Sequence, residues 1–548
     1  MATAASAPPQ HVDTVIIGTI LLGSTSLTQG TYAHVTDIEF LGGGPSSLIL
    51  SYILHGHIPY YKGHHHDAIL HAKLSRNPNL LCITPDLYAH FYSSLRYSTQ
   101  ALPVNTLLDT LVRPNADTVV DSQTCVEWRY EPEKAVSHVV LTSSPTAGGQ
   151  WTDNPVHTSM DIKTLSYSEL LSLPGYSYDT FYSAQHGGKP APEFERPTRA
   201  QAASYFAAYP SAAGIESTLH TSTTVTRVTR ASSGSGFTLT LHTLAHPLRP
   251  LHATHLVLAT GIFTHPLPPP SSLSLIPGPT SPSAVSSLPL LVIGSGFTAA
   301  DTLLSAAGPR RTLHIFRWAP AQRPSPLKAC HSSAYPEYAR VYRAMRRAAA
   351  GGGGGGGGAA DDGYEGFANG AVESVARRAG AAAGWDVAIR RSDGRVEHRV
   401  VGALAYAVGR RGDLAYLERG LRAEVLGACA AERPYVDGRA LREKLGEGRV
   451  QVAPGVFAVG SLTGDSLVRH AYGGCVCAAA EIMGVADGAR ELPERMVGCA
   501  GDLNDAIEAD AWSHDDSKRV ESGLAHLDLH LDRQKMVDAV GSHLHLLG

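Results

Sequence analysis

Residues 290–304 read Leu-Leu-Val-Ile-Gly-Ser-Gly-Phe-Thr-Ala-Ala-Asp-Thr-Leu-Leu, and no other stretch of the chain constrains the fold as tightly. A buried apolar run enters a glycine turn and a helical pattern begins at once, which is the opening of a βαβ unit in a covered parallel sheet. Gly294 permits the tight turn, and Gly296 lets the backbone approach a pyrophosphate. The small Ala299 lets helix and strand pack closely. Ser295, Phe297 and Thr298 complete the turn, where free N–H groups and the helix dipole favour an anion. The plain alternative is a tight strand–helix turn with no ligand. The next strand, 312–316, ends at Arg317. An acid there would hold the ribose hydroxyls of NAD, whereas a base suits the 2′-phosphate of NADP, so NADPH is the preferred nucleotide. Arg310 and Arg311 are expected to cluster with Arg317; the alternative is a set of solvated surface arginines.

A second unit of the same kind is interrupted. The run VDTVIIG, ending at Gly18, is a buried strand, and GGGPSSLILSYIL, from Gly42, is a glycine turn with a helix behind it. Joining Gly18 to Gly43 gives an unbroken fingerprint through Gly44, Pro45 and Ser46. Residues 19–42 therefore read as an insertion foreign to the fold, for which a retained in-frame intron is one explanation. On the alternative reading, residues 37–41 (DIEFL) supply the strand and 12–18 is displaced.

Three further motifs follow in order. Residues 145–151 (PTAGGQW) form a loop in which Gly148 and Gly149 allow close backbone approach and Trp151 offers a flat face that could cover a ring system; a core tryptophan beside a turn is the alternative. The strand LVLATG ends at Gly261. The strand GVFAVG ends at Gly460, and Asp465 lies where a helix is expected from about Ser466, so its plain reading is an N-cap. Two patterns are decoys. Cys475 and Cys477 sit two apart on an Ala-rich helix, facing different directions, and read as buried small residues. His64-His65-His66-Asp67 reads as a solvated loop, since nothing later supplies ligands at metal spacing.

Composition narrows the class. With 548 residues and 43% apolar content the chain can build several cores. A net charge of -4 gives no nucleic-acid footprint. No apolar run reaches membrane-spanning length, the first residues lack a secretory pattern, and seven cysteines make no disulfide framework, so a cytoplasmic protein is expected.

The ordered motifs resemble class B flavin monooxygenases and N-hydroxylating monooxygenases, and in detail the oxidative stress-induced growth inhibitor family. The carrying segments are VDTVIIG with GGPSSLILSYILHGHIPYY, PDLYAHFYSSLRYSTQALPVNTLLDTLVRP, GGQW, LPLLVIGSGFTAADTLL, SSAYPEYARVYRAM and GVFAVGSLTGDSLVRHAYGGC. The resemblance runs from Val12 to about Met483, outside the 19–42 segment, the polyglycine block and the C-terminal tail. It implies an α/β architecture of two doubly wound, Rossmann-type dinucleotide-binding domains. A disordered start (1–11) precedes an FAD domain split into 12–287 and 413–497. The NADPH domain, 288–412, is inserted between the two parts and carries a polyglycine loop at 348–362; a tail covers 498–548. It further implies hydride transfer from NADPH to FAD, formation of a flavin C4a-hydroperoxide with oxygen, and oxygen transfer to a small molecule. Asp465 would then hydrogen-bond the ribityl chain or order a water at the pyrophosphate. No catalytic side chain and no metal follow from it. An NAD(P)H:acceptor oxidoreductase and a degenerate flavoprotein with a regulatory role are the alternatives. The chain lacks the F-x-G-x-x-x-H-x-x-x-F/Y signature of flavin and Baeyer–Villiger monooxygenases, so the resemblance carries cofactors rather than a substrate.

Overall fold

The computed structural model describes residues 11–17, 43–84, 87, 101–114, 123–156, 158–231, 236–243, 249–306, 310–351, 363–378, 384–428, 431–445 and 449–485. Two sheets with parallel cores organise it.

The larger sheet runs Gln451–Ala453, Val456–Ala458, Arg249–Leu258, His11–Ile17, His138–Leu141 and Leu219–His220. His11–Ile17 is central. It pairs in parallel with Arg249–Leu258 on one side (Ile17 opposite Leu258) and with His138–Leu141 on the other (Ile17 opposite Leu141). The VDTVII run is therefore the strand of the first unit and is not displaced. Its Val15, Ile16 and Ile17 are fully buried, as a parallel strand covered on both faces requires. Gly18 and Gly42, with the whole 19–42 segment, lie outside the described residues. The Pro45–Leu54 helix follows, with Pro45 in its first turn where a missing N–H costs nothing. A hairpin of Thr223–Arg230 and Phe237–Thr243 extends the sheet, as its alternating pattern predicts.

The smaller sheet is wholly parallel, in the order Tyr364–Ala368, Thr312–Phe316, Leu290–Ile293 and Ala403–Tyr406. All its strands fall in sequence between Arg249–Leu258 and Gln451–Ala453 of the larger sheet. Strand alternation splits its residues between two cores. Leu290 and Val292 pack with Leu303, Tyr338 and Met345 on one side. Leu291, Leu313 and Ile315 pack with Phe367, Val387 and Ile389 on the other. The second of these cores is closed by an antiparallel sheet of Ala371–Arg377, Trp385–Arg390 and Val396–Val401.

Residues 400–408 read as one strand in sequence, and here the structure differs. Val396–Val401 ends in the antiparallel sheet and Ala403–Tyr406 begins in the parallel one. The break is Gly402, where a Cβ would lie 2.0 Å from the Val285 carbonyl oxygen. No helix among the described residues is long and apolar enough to cross a membrane.

Candidate functional site

Both glycine turns stand at the carboxyl ends of parallel strands, where open α/β sheets bind ligands. At the first, Gly43 has a φ of 71°, and a Cβ on Gly44 would meet nothing within 4 Å, so space lies open before the Pro45–Leu54 helix. No side chain caps that helix start. The Gly43 carbonyl accepts a hydrogen bond from Gly148 N at 2.9 Å, which ties the turn to the Gly-Gly-x-Trp loop. At the second, Gly294 has a φ of 149°, and a Cβ there would lie 2.2 Å from the Ala407 carbonyl oxygen. Only glycine fits, because the Leu290–Ile293 and Ala403–Tyr406 strands close on each other at that point. The Ser295 carbonyl accepts from Ser325 Oγ at 2.6 Å. His314, fully enclosed on the Thr312–Phe316 strand, contacts the Gly294 carbonyl oxygen through Nε2 at 2.7 Å and the Tyr364 hydroxyl through Nδ1 at 2.9 Å. A carbonyl only accepts, so Nε2 carries the proton and Nδ1 accepts from Tyr364. Burial pushes its pKa down to about 4, which keeps the ring neutral.

Two hollows join these turns. A narrow groove is walled by Gly44, Pro45, Ser46, Gly261, Gly460 and Asp465. A cavity of about 650 Å³ holds Gly294, Ser295, Gly296, Phe297, Thr298 and Arg317 in its wall. Gln150, Trp151, Phe263, Ser466, Leu467 and Val468 line both, so the hollows adjoin. Gly149 lines the groove with Trp151, which is half-buried and packs on Phe206 at 5.8 Å between ring centroids. The tryptophan is thus both a packed residue and a wall of the junction. Gly460 has a φ of 68°, and a Cβ there would lie 2.3 Å from Ser46 Oγ, so the Ser46 side chain packs directly on the Gly460 backbone.

Asp465 lines the groove but does not cap a helix. The backbone forms short 3-10 turns at Gly460–Thr463 and Val468–Ala471, and the α-helix begins only at Tyr472. The buried carboxylate accepts from Leu102 N at 2.9 Å and Asn105 Nδ2 at 2.5 Å, and pairs with Arg442 at 2.9 Å. It fastens the Pro103–Val112 helix to the groove.

Arg317 is exposed at the end of its strand and lines the cavity. Arg310 and Arg311 do not join it. They precede the strand at its opposite end, and Arg310 donates to the Leu288 and Val285 carbonyls at 2.6 and 2.8 Å. The His64–Asp67 loop also differs from expectation. His65 is buried, with Nε2 3.1 Å from Thr110 Oγ1, and Asp67 caps the next helix through Ile69 N and Leu70 N. Cys475 and Cys477 are buried, and the Cys475 thiol donates to the Ser46 carbonyl at 3.3 Å.

Four further residues belong to the cavity: Arg199, Asp301, Tyr338 and Arg410. Tyr338 donates to Asp301 Oδ1 at 2.8 Å. Burial holds the Asp301 carboxyl up at about 6 and lowers Arg410 to about 10. Asp301 was legible as the fifth residue of its helix; Arg410, the first residue of the Arg410–Asp413 strand, had no comparable signal.

No protein-family model matches the chain. It is 30% identical over 339 residues to oxidative stress-induced growth inhibitor 1 of Homo sapiens, covering 56% of this chain and 69% of that protein. It is 27% identical over 482 residues to the Mus musculus protein of the same name, covering 81% and 95%. A flavin-containing monooxygenase from Stenotrophomonas maltophilia superimposes with a TM-score of 0.44 at 14% identity, over 87% of this chain and 98% of that one. By the extent of the human match, the chain belongs to the oxidative stress-induced growth inhibitor family.

Proposed function

We propose that the chain is an FAD-dependent, NADPH-using oxidoreductase of the monooxygenase type. Its FAD-binding unit comprises 12–287 and 413–497, and its NADPH-binding unit, 288–412, is inserted between them. The adjacency of the groove at Gly44 and the cavity at Gly294, which share a wall at Trp151, carries this reading. It gives two nucleotides one meeting place.

The residues fit both groups. The uncapped start of the Pro45–Leu54 helix, with open space at Gly44, suits the FAD pyrophosphate. Gly294, Ser295, Gly296, Phe297 and Thr298 offer the same kind of cradle to NADPH, and Arg317 stands free in the wall for the 2′-phosphate. When bound, the flavin supplies hydride acceptance and oxygen activation. The protein binds, orients and excludes water. Trp151 and Phe263 close the junction on both sides. Asp465 acts through Leu102 and Asn105, holding the groove wall in place. No side chain has to act as a nucleophile.

The test is the visible absorption spectrum of the purified chain and of a version lacking residues 19–42. Flavin bands in either, bleached anaerobically by NADPH, are expected; two colourless proteins would overturn the reading. Arg317→Glu should raise the KM for NADPH at least tenfold while sparing that for NADH. Consumption of NADPH without an oxygenated product would place the chain among acceptor reductases instead.

A further inference from the structure

The cavity wall is short of negative charge. Its charged side chains are Lys163, Arg199, Arg317 and Arg410 against the single carboxylate of Asp301. Arg199 and Arg410 are half-buried, yet among the described residues neither has a carboxylate oxygen within 4.0 Å. Arg199 donates to Thr158 Oγ1 at 2.9 Å and the Trp151 carbonyl at 3.4 Å. Arg410 donates to Asn154 Oδ1 at 3.0 Å and Thr298 Oγ1 at 3.1 Å, with its guanidinium carbon 5.8 Å from the Phe263 ring centroid. All these acceptors are neutral. Each arginine is close enough for its charge to bear on the other and on Asp301. Asp301 bears on both arginines and Asp153 on Arg199 only from beyond ion-pair distance, so two partly desolvated cations remain costly unless an anion completes the site.

The position of the pair limits which anion. Thr298 is the second residue of the Phe297–Ala306 helix, whose start follows directly from the Gly294 turn. A group seated on that turn lies beside Arg410. Arg199, the first residue of the Arg199–Ala212 helix, lines the same cavity.

We infer that Arg199 and Arg410 clamp the pyrophosphate bridge of the nicotinamide dinucleotide, so that the entering anion takes over the positive charge that otherwise bears on Asp301. This rests on the dinucleotide reading of the Gly294 turn. Asp301 faces Arg410 and Arg199 across the cavity and Tyr338 and Glu337 from the Pro336–Ala349 helix; Glu337 is itself paired with Arg196 at 2.5 Å. Burial already holds the Asp301 carboxyl at about 6. An anion that takes over both arginines raises it further. Binding then takes up a proton, and affinity falls as pH rises above about 6.

The experiment is calorimetric titration of the full chain with NADP+, repeated for Arg199→Met, Arg410→Met, Arg410→Lys and Asp301→Asn. In parallel, the bound flavin is reduced with 1-benzyl-1,4-dihydronicotinamide, which carries no phosphate. Each methionine variant should weaken NADP+ roughly ten- to a hundredfold, the loss of a charged hydrogen-bond donor set, and leave reduction by the benzyl compound unchanged. Arg410→Lys should recover part of the affinity. Wild-type affinity should fall by up to about tenfold per pH unit above 6, and Asp301→Asn should flatten that slope. The wild-type pH series needs no variant to fold. Equal loss with both reductants, NADP+ affinity unmoved in the methionine variants, a flat wild-type pH profile, or a wild-type chain that binds no NADP+ each overturns the clamp. A chain that binds NADP+ with this pattern but shows no flavin sinks the flavoprotein reading and leaves the clamp standing.

Discussion

Gly294 shows how one residue can decide the site. Its φ of 149° lies in a region that side-chain-bearing residues avoid, and an added Cβ would meet a backbone carbonyl 2.2 Å away, not a side chain that could swing aside. Gly294→Ala should therefore move the turn, abolish NADP+ binding and lower stability by about 1–3 kcal/mol. Flavin content should stay unchanged, because Gly294 lies in the smaller sheet. The readout is NADP+ titration beside the flavin spectrum; an alanine variant that binds NADP+ as before would show that the turn does not hold it. At this scale the sequence was informative where a residue acts through its own backbone, as the glycines do. It was silent on Arg410, which is captured by Asn154, Phe263 and Thr298 from three separate segments. Side-chain capture of that kind leaves no local pattern.

Elements are held together by polar contacts between segments far apart in the chain. The Pro103–Val112 helix lies against the Val468–Ala471 turn and the Tyr472–Ile482 helix, and Arg469 donates to Asp109 Oδ2 through Nε at 2.9 Å and a terminal nitrogen at 2.6 Å. Asn105 accepts from Gly474 N at 2.8 Å. A Cβ on Gly473 would lie 2.2 Å from the Val104 carbonyl oxygen, so the two helices touch backbone to backbone. Asp109→Ala takes a buried carboxylate away from both Arg469 and Arg113 and should cost about 3–5 kcal/mol, read as a lower urea midpoint with an unchanged slope. Asp109→Asn, which keeps an acceptor but not the charge, should cost less; equal losses would show that the acceptor is immaterial and that the lost charge accounts for the effect. The Pro103–Val112 helix also holds Asp465 in the groove wall through Asn105, so Asp109→Ala should also shed flavin. In sequence, the strands at 12, 256, 290 and 456 and the helices behind the glycine turns were legible from period and punctuation. The split at Gly402 was not, since an apolar run records burial but not which sheet it joins. The late start of the Tyr472–Ile482 helix was hidden for a related reason: Asp465 reads as a cap, but two of its three named partners, Leu102 and Asn105, lie some 360 residues away.

For the whole molecule, the two sheets are linked by the shared cavity, and each also encloses a neutral histidine. His138 in the larger sheet bonds Ser51 Oγ at 2.9 Å and the Val136 carbonyl at 2.8 Å, and His314 in the smaller one holds Gly294. Burial pushes both down to about 4. A histidine depressed in the folded state contributes stability that is fully present above its unfolded value near 6.5 and is lost as pH falls through about 4. Asp301 works the other way. Its folded value of about 6 exceeds the unfolded one, so its contribution is complete only below about 3.9 and is lost as pH rises through 6. Between pH 7 and pH 5 each histidine removes roughly 2 kcal/mol, whereas Asp301 restores roughly 1, so the histidines win. Because one sits in each sheet, both sheets should weaken together. Urea midpoints followed at pH 7, 6 and 5 should fall steadily, with flavin fluorescence and far-UV ellipticity changing at the same urea concentration. Asp301→Asn should steepen the fall, since it removes a group that gains on acidification. A midpoint that holds steady from pH 7 to 5 would mean that the two histidines are charged or solvated in the folded protein. Separate flavin and ellipticity transitions would mean that the shared cavity does not couple the sheets.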